Sequence, residues 1–221
     1  MRLTFGPTDY FTQKVTDLNI CHPTRERYAR RTDITDRPIP EFASILGVNL
    51  NLITKDGYLI VTGPSEEREV AGGTLHTSVG ENLLRPIDQG VNNAPDPFRC
   101  AFRGAQEELG VELKPGKVEF TAFGVYPRYC QYSLIGWSEI DETQVEIERL
   151  YSLGIPKDKW ENSKLYFIPC KPEEIANFVV SRWDKWFPIG LAAVVLSLFQ
   201  QGFSPREVDN AFSRARSKYG V

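Results

Sequence analysis

Two adjacent carboxylates, with an arginine one helical turn before them, are the residues of this sequence best suited to chemistry. They are Glu107, Glu108 and Arg103, in the segment RGAQEELGV that ends at Val111. Carboxylate oxygens are the ligands that hard divalent cations prefer, and an arginine can orient such a carboxylate. The pattern predicts a divalent metal site. The plain alternative is an exposed pair of acids near a helix end, where negative charge is mildly unfavourable.

A short helix is predicted to carry these residues. Apolar residues at helical spacing form one stripe that we expect to face a core. The stripe consists of Phe98, Ala101, Phe102, Ala105 and Leu109. Gly104, Glu107 and Glu108 then share the opposite side of the helix. The pair Asp96-Pro97 is typical of a helix start, and Gly110 is typical of a helix end.

The same residues resemble the Nudix superfamily, whose box has the form G, five residues, E, seven residues, then REUxEExGU, with U a bulky aliphatic residue. Five residues match the second half of that box: Arg103, Glu107, Glu108, Gly110 and Val111. Ala105 is a small residue at an aliphatic position. Gly104 replaces the first Glu of the REUxEE run, which in many members is a metal ligand or a base.

The resemblance implies a Mg²⁺ or Mn²⁺ cofactor held by Glu107 and Glu108, with Arg103 orienting a carboxylate of the box. A pyrophosphate linkage carries dense negative charge, so water attacks it slowly. A divalent cation neutralises the phosphate oxygens and lowers the pKa of a bound water. In the family, a loop glycine also offers its backbone carbonyl to the metal.

The first half of the box is displaced in this sequence. Its nearest counterparts are Gly80 and Glu81, in the segment SVGEN, which we assign to substrate binding, with Gly80 also the candidate for the metal-binding carbonyl. Arg103 follows Glu81 by 22 positions, whereas the family spacing is eight. The intervening loop, RPIDQGVNNAPDPF, is rich in Pro, Asn, Asp and Gly and is predicted to be a surface insertion.

The loss of a carboxylate at position 104 leaves the general base open. Glu146 and Glu148 lie in the acidic segment DETQVEIE, about as far beyond the box as the family's later carboxylate. Either is a candidate base. The alternative is that this segment is a solvated, charged helix face.

Strand patterns around the box indicate an α/β (α+β) fold with a Nudix-like mixed sheet between helices. Apolar residues alternate with polar ones from Leu46 to Leu52, and the turn Lys55-Asp56-Gly57 leads into Tyr58–Val61, which predicts a hairpin. Residues 118–125 and 132–137 are predicted strands. The run from Pro188 to Phe199 is too short to cross a bilayer and is predicted to be a buried helix.

The chain is predicted to contain an N-terminal extension (1–40), a Nudix-like domain (41–180) and a C-terminal helical appendage (181–221) packed on that domain. Ser204 to Glu207 form a capping box with proline at the first helical position, which predicts a final helix.

Composition limits the function classes. The chain has 221 residues, 41% of them hydrophobic, and a net charge of −3. This charge argues against a nonspecific nucleic-acid binder, although a basic cluster occupies residues 25–31. The cysteines show no CxxC spacing, and no signal peptide or membrane span is visible, so we expect a cytoplasmic protein.

Two functions remain open at this stage. The first is a metal-dependent pyrophosphatase of the Nudix hydrolase type, which cleaves a nucleoside diphosphate linked to another moiety. The second is a catalytically silent Nudix homology domain that binds a nucleotide or a partner protein as a sensor. Gly104 favours the second function and the intact Glu107-Glu108 pair favours the first. Since Nudix proteins often pair, the resemblance also implies a homodimer.

Overall fold

A mixed six-stranded sheet between two layers of helices forms the centre of the molecule. The computed structural model describes residues 6–18, 43–63, 73–129, 131–158 and 164–221. The strands are β1 Leu46–Ile53, β2 Tyr58–Thr62, β3 Val79–Asn82, β4 Glu119–Tyr126, β5 Gln131–Glu139 and β6 Leu165–Pro169. The helices are α1 Tyr10–Gln13, α2 Pro97–Leu109, α3 Gln144–Ser152, α4 Pro172–Val180, α5 Pro188–Gln200 and α6 Pro205–Tyr219. Most of the predicted extension, including the basic cluster at 25–31, lies outside the described residues.

Strand β1 is the central strand, and all of its residues are buried. It pairs in parallel with β5 along its whole length, and antiparallel with β3 and β2 on its other side. The sheet order is β4-β5-β1-β2-β6, with β3 also paired to β1. The predicted hairpin is confirmed, with Gly57 at a φ of 86° in its turn. The predicted strands at 118–125 and 132–137 are confirmed as β4 and β5.

The two faces of β1 belong to two hydrophobic cores. Val48, Leu50 and Leu52 pack in the core that contains the buried side of α2. Ile53, on the other face, packs in the core that contains residues of α4, α5 and α6. Asn49 and Asn51 share that second face and are buried as well. Helices therefore cover the face of β1 that carries the polar residues of the alternating pattern.

The C-terminal helices form as their sequence predicts. Helix α5 buries Ile189, Ala193, Val194 and Leu198, as expected for the run that begins at Pro188. Helix α6 begins with the predicted capping box, in which the side chains of Ser204 and Glu207 each bond to the other's backbone N–H. Across the described residues, no helix combines the length and apolar character needed to cross a bilayer.

Candidate active site

Helix α2 has the bounds and caps that its sequence predicts. The Asp96 side chain accepts hydrogen bonds from the backbone N–H groups of Phe98 and Arg99, at 3.0 and 3.3 Å. Gly110 ends the helix at a φ of 73°, in the left-handed region that favours glycine. Because both ends are fixed, the positions of Arg103 and Glu107 along the helix are fixed too.

The predicted core stripe of α2 is only partly correct. Ala101, Ala105 and Leu109 are fully buried, but Phe98 is 44% exposed. Gly104 and Glu108, which the stripe places on the opposite side, are buried instead. The reason is that α2 is covered on two sides, by the sheet core and by strand β3, and a helical wheel accounts for only one of these contacts.

Arg103 is the centre of a dense polar cluster. Its Nε and Nη2 donate to the two carboxylate oxygens of Asp88, at 3.1 and 2.7 Å. Its Nη1 contacts Glu107 Oε2 and Glu81 Oε2, each at 3.0 Å. Nη2 also donates to the carbonyl oxygen of Asn82 at 2.9 Å. The arginine thus joins α2, β3 and the insertion at one point.

The cluster keeps Arg103 charged. Burial by itself would lower the pKa of the guanidinium, but the hydrogen bond to Asp88 and the negative charge of Glu81 outweigh burial. The pKa of Arg103 therefore lies above its usual value. The same site raises the pKa of the Cys100 thiol, through burial first and the charges of Asp88 and Glu81 second. A thiol held protonated in this way is a poor nucleophile.

Glu108 is a buried acid that joins α2 to β3. The residue is only 1% exposed, and its Oε1 accepts the backbone N–H of Gly80 at 2.9 Å. Gly80, Glu81, Glu107 and Glu108 are therefore brought together, as the displaced box assignment requires. The metal-binding role given to the Gly80 carbonyl stays a prediction.

Gly104 is a glycine because β3 passes too close to α2 for any side chain. A Cβ atom at this position would lie 2.7 Å from Val79 Cγ1 and 3.0 Å from the Cβ of Glu81. Distances this short require the strand or the helix to shift. The Nudix box has a carboxylate at this position. Here the close approach of β3, which brings Glu81 to Arg103, leaves no room for one.

The insertion before α2 is not entirely a surface loop, which corrects the sequence prediction. Most of its residues are exposed, but Asp88 is 2% exposed and makes the two-bond contact with Arg103. Asp88 was not predicted as a site residue from the sequence. The one available signal was an acid among the turn-forming residues of a segment that adjoins the box, and this signal does not distinguish a buried acid from a solvated one.

The two candidate bases lie on α3. Glu146 is the N3 residue of the capping box that begins at Thr143, and its Oε2 accepts from the backbone N and the Oγ1 of Thr143, both at 2.8 Å. Glu148 Oε1 accepts from Gln144 Nε2 at 3.0 Å. Both glutamates are exposed. Their role as base stays a prediction.

The cap at Glu146 predicts a pH dependence of stability. Hydrogen bonds from the Thr143 backbone and side chain lower the pKa of Glu146 below its usual value of 4.5. A lowered folded-state pKa contributes stability above the unfolded value, and this contribution is lost as the pH falls through the folded value. We expect Glu146→Gln to unfold at lower urea concentration than the wild type at pH 7, and the difference to shrink as the pH falls below 4.5. A gap that stays constant with pH would contradict this assignment.

The donor set fits a hard divalent cation in chemistry and charge. Glu81, Asp88 and Glu107 surround a single guanidinium, so the cluster has an excess of negative charge, and Glu108 lies beside it on α2, bonded to Gly80. Within the described ranges, no three His, Cys, Asp or Glu side chains are already arranged as a metal cluster. Arg103 Nη1 contacts one oxygen each of Glu81 and Glu107.

The comparisons with known proteins concern structure only. No protein-family model and no curated protein matches the sequence. Among solved structures, a MutT protein from Methanosarcina mazei Go1 is 10% identical, over 72% of this chain and 96% of its own, with a TM-score of 0.46. A Nudix hydrolase from Nitrosomonas europaea is 9% identical, over 72% and 89% of the two chains, with a TM-score of 0.47.

A third similar structure is the protein DR0079 from Deinococcus radiodurans. It is 17% identical, over 62% of this chain and 73% of its own, with a TM-score of 0.43. All three likenesses are remote.

Proposed function

We propose that this protein is a metal-dependent hydrolase that cleaves the pyrophosphate bond of a nucleoside diphosphate linked to another moiety. The observation that carries the proposal is the carboxylate excess around Arg103, at the residues that resemble the Nudix box. A structural ion pair needs one acid for each base. Several carboxylates held close together repel one another, and this repulsion is costly unless a cation binds between them. A substrate rich in phosphate needs a cation for the same reason.

Each residue of the cluster has a distinct task in this proposal. Glu107 and Glu108 would hold Mg²⁺ or Mn²⁺, which when bound neutralises phosphate oxygens and makes an attacking water more acidic. Arg103 orients Glu107, with which it shares a contact of 3.0 Å. Gly80 and Glu81, the two middle residues of β3, would border the substrate.

For the general base we propose Glu148 rather than Glu146. The hydrogen bonds that lower the pKa of Glu146 also make it a weaker proton acceptor. We expect Glu148→Gln to lower kcat by about a hundredfold, and by more than Glu146→Gln does, when steady-state rates are compared across pH. Equal losses in the two variants would contradict this choice.

The silent-sensor alternative has one specific observation in its favour. Arg103 already supplies a positive charge to Glu81 and Glu107. In this second function the cleft binds a nucleotide or a partner protein without turnover. It predicts tight nucleotide binding with no product.

A substrate panel separates the two functions. The purified protein is incubated with Mg²⁺ or Mn²⁺ and ADP-ribose, dinucleotides, nucleotide sugars or nucleoside triphosphates, and products are resolved by anion-exchange chromatography. Binding of each nucleotide is measured by calorimetry in parallel. Metal-dependent release of nucleoside monophosphate supports the hydrolase. Binding without product supports the sensor, and neither result for any compound would refute the hydrolase and the nucleotide-binding form of the sensor.

A further inference from the structure

Asp88 fixes the guanidinium of Arg103 from the insertion. Its side chain is 1% exposed, and its two oxygens accept from Nε and Nη2 of Arg103 in a two-bond, fork-like pair. Oδ2 of the same carboxylate accepts the backbone N–H of Leu84 at 2.8 Å. The backbone of Asp88 bonds to Leu84 and Asp96 as well. Asp88 is thus anchored at both ends of its loop.

The two hydrogen bonds between Asp88 and Arg103 determine which nitrogen of Arg103 contacts the more exposed acids. With Nε and Nη2 engaged by Asp88, Nη1 contacts Glu81 and Glu107. The side chains of those two acids are 19% and 23% exposed, whereas that of Asp88 is almost fully buried. A cation from solvent therefore reaches Glu81 and Glu107 more readily than it reaches Asp88.

We propose that Asp88 is a positioning residue, which shares the charge of Arg103 so that Glu107 can exchange the arginine for a divalent cation. One guanidinium carries one positive charge, and three carboxylates share it. Without Asp88, only Glu81 and Glu107 would neutralise the guanidinium, and a divalent cation would have to displace the guanidinium from them. This inference rests on the proposed function, because it assumes that Glu107 holds metal.

The test measures the affinity of the whole protein for Mn²⁺ alone, by electron paramagnetic resonance of the free ion. We expect Asp88→Asn to weaken Mn²⁺ binding by about tenfold or more, the range seen when partners of metal ligands are removed. Asp96→Asn is the matched control, since it makes the same change in the same loop at a residue that caps α2. Asparagine is also a good N-cap, so we expect the control to bind Mn²⁺ like the wild type.

A second pair of variants shows whether Asp88 acts through Arg103. In an Arg103→Gln background, Asp88→Asn should change the Mn²⁺ affinity by less than about twofold, because the charge that it redistributes is gone. An equal loss in both backgrounds would show that Asp88 acts by its own charge or as a ligand, and would overturn the proposal. Thermal melts followed by circular dichroism establish that each variant is folded at the binding temperature.

Should Asp88→Asn not fold, Arg103→Lys supplies the same test. Lysine is a compact point charge that lacks the planar fork needed for the two-bond pair with Asp88. We expect Arg103→Lys, which keeps the positive charge, to bind Mn²⁺ more weakly than the wild type, and an equal or higher affinity would overturn the proposal. If the wild type binds no Mn²⁺, the proposed function fails and this inference with it. If the wild type binds and Asp88→Asn binds equally well, only this inference fails.

Discussion

Glu108→Gln is expected to lower kcat by about a thousandfold on whichever substrate the panel identifies, and to weaken Mn²⁺ binding in the same preparation. A neutral amide is a poor ligand for a hard cation, so the variant loses the charge that the metal requires. Losses of this size are typical when a group that acts on the transition state is removed.

The structure indicates that this loss will not come from unfolding. In the variant, the side-chain amide oxygen at position 108 can still accept the backbone N–H of Gly80, since the amide has nearly the shape of the carboxylate. We therefore expect the free energy of unfolding in urea to change by less than about 1 kcal/mol. Glu112→Gln is the control, because Glu112 is exposed and lies just beyond the helix. A variant at 108 with wild-type turnover and Mn²⁺ affinity would refute the metal role of Glu108.

Gly104→Glu, which introduces the residue that the Nudix box has at this position, is expected to destabilise the protein by about 3 kcal/mol and to give no gain in activity. The added Cβ would lie 2.7 Å from Val79 Cγ1, and the carboxylate would enter a cluster that already holds an excess of negative charge. Overpacking and an added unpaired charge both oppose folding. Urea unfolding and the panel assay measure the two effects.

Matched variants separate the close contact from the added charge. Gln106→Glu adds the same charge at an exposed position of the same helix and is expected to change stability by less than about 0.5 kcal/mol. Gly104→Ala adds only the Cβ, and we expect Val79→Ala to recover part of its loss in a double-mutant cycle. A Gly104→Glu protein as stable as the wild type would show that β3 can yield at this point.

Local patterns predicted the elements on which the site is built. The bounds of α2 follow from Asp96-Pro97 and Gly110, and the start of α6 follows from the capping box at Ser204, because capping depends on residues within one helical turn. The hairpin of β1 and β2 follows from alternation and a glycine turn. The mixed α+β fold class was predicted from the order of these elements.

Residue spacing alone predicted contacts in the site only between residues that lie on one helix or strand. Arg103 and Glu107 are four residues apart on a helix, so their contact follows from helical geometry. The exposure of Phe98 was predicted wrongly because the side on which a helix is covered depends on what packs against it. Glu81 was named as a substrate-binding residue through the resemblance to the Nudix box, and its contact with Arg103 was not predicted, since no periodicity in the sequence indicates it.

The sequence by itself determined a capped helix with two acids and an arginine, flanked by strands. Only the tertiary structure decided that Asp88 is buried against Arg103 and that Gly104 faces β3. Capping hydrogen bonds and the spacing of apolar residues involve residues that are close together in the chain, so they can be recognised directly in a sequence. The partner of a buried charge and the space beside a glycine are set by chain segments that come together only in the folded state, and no local pattern records which segments these are.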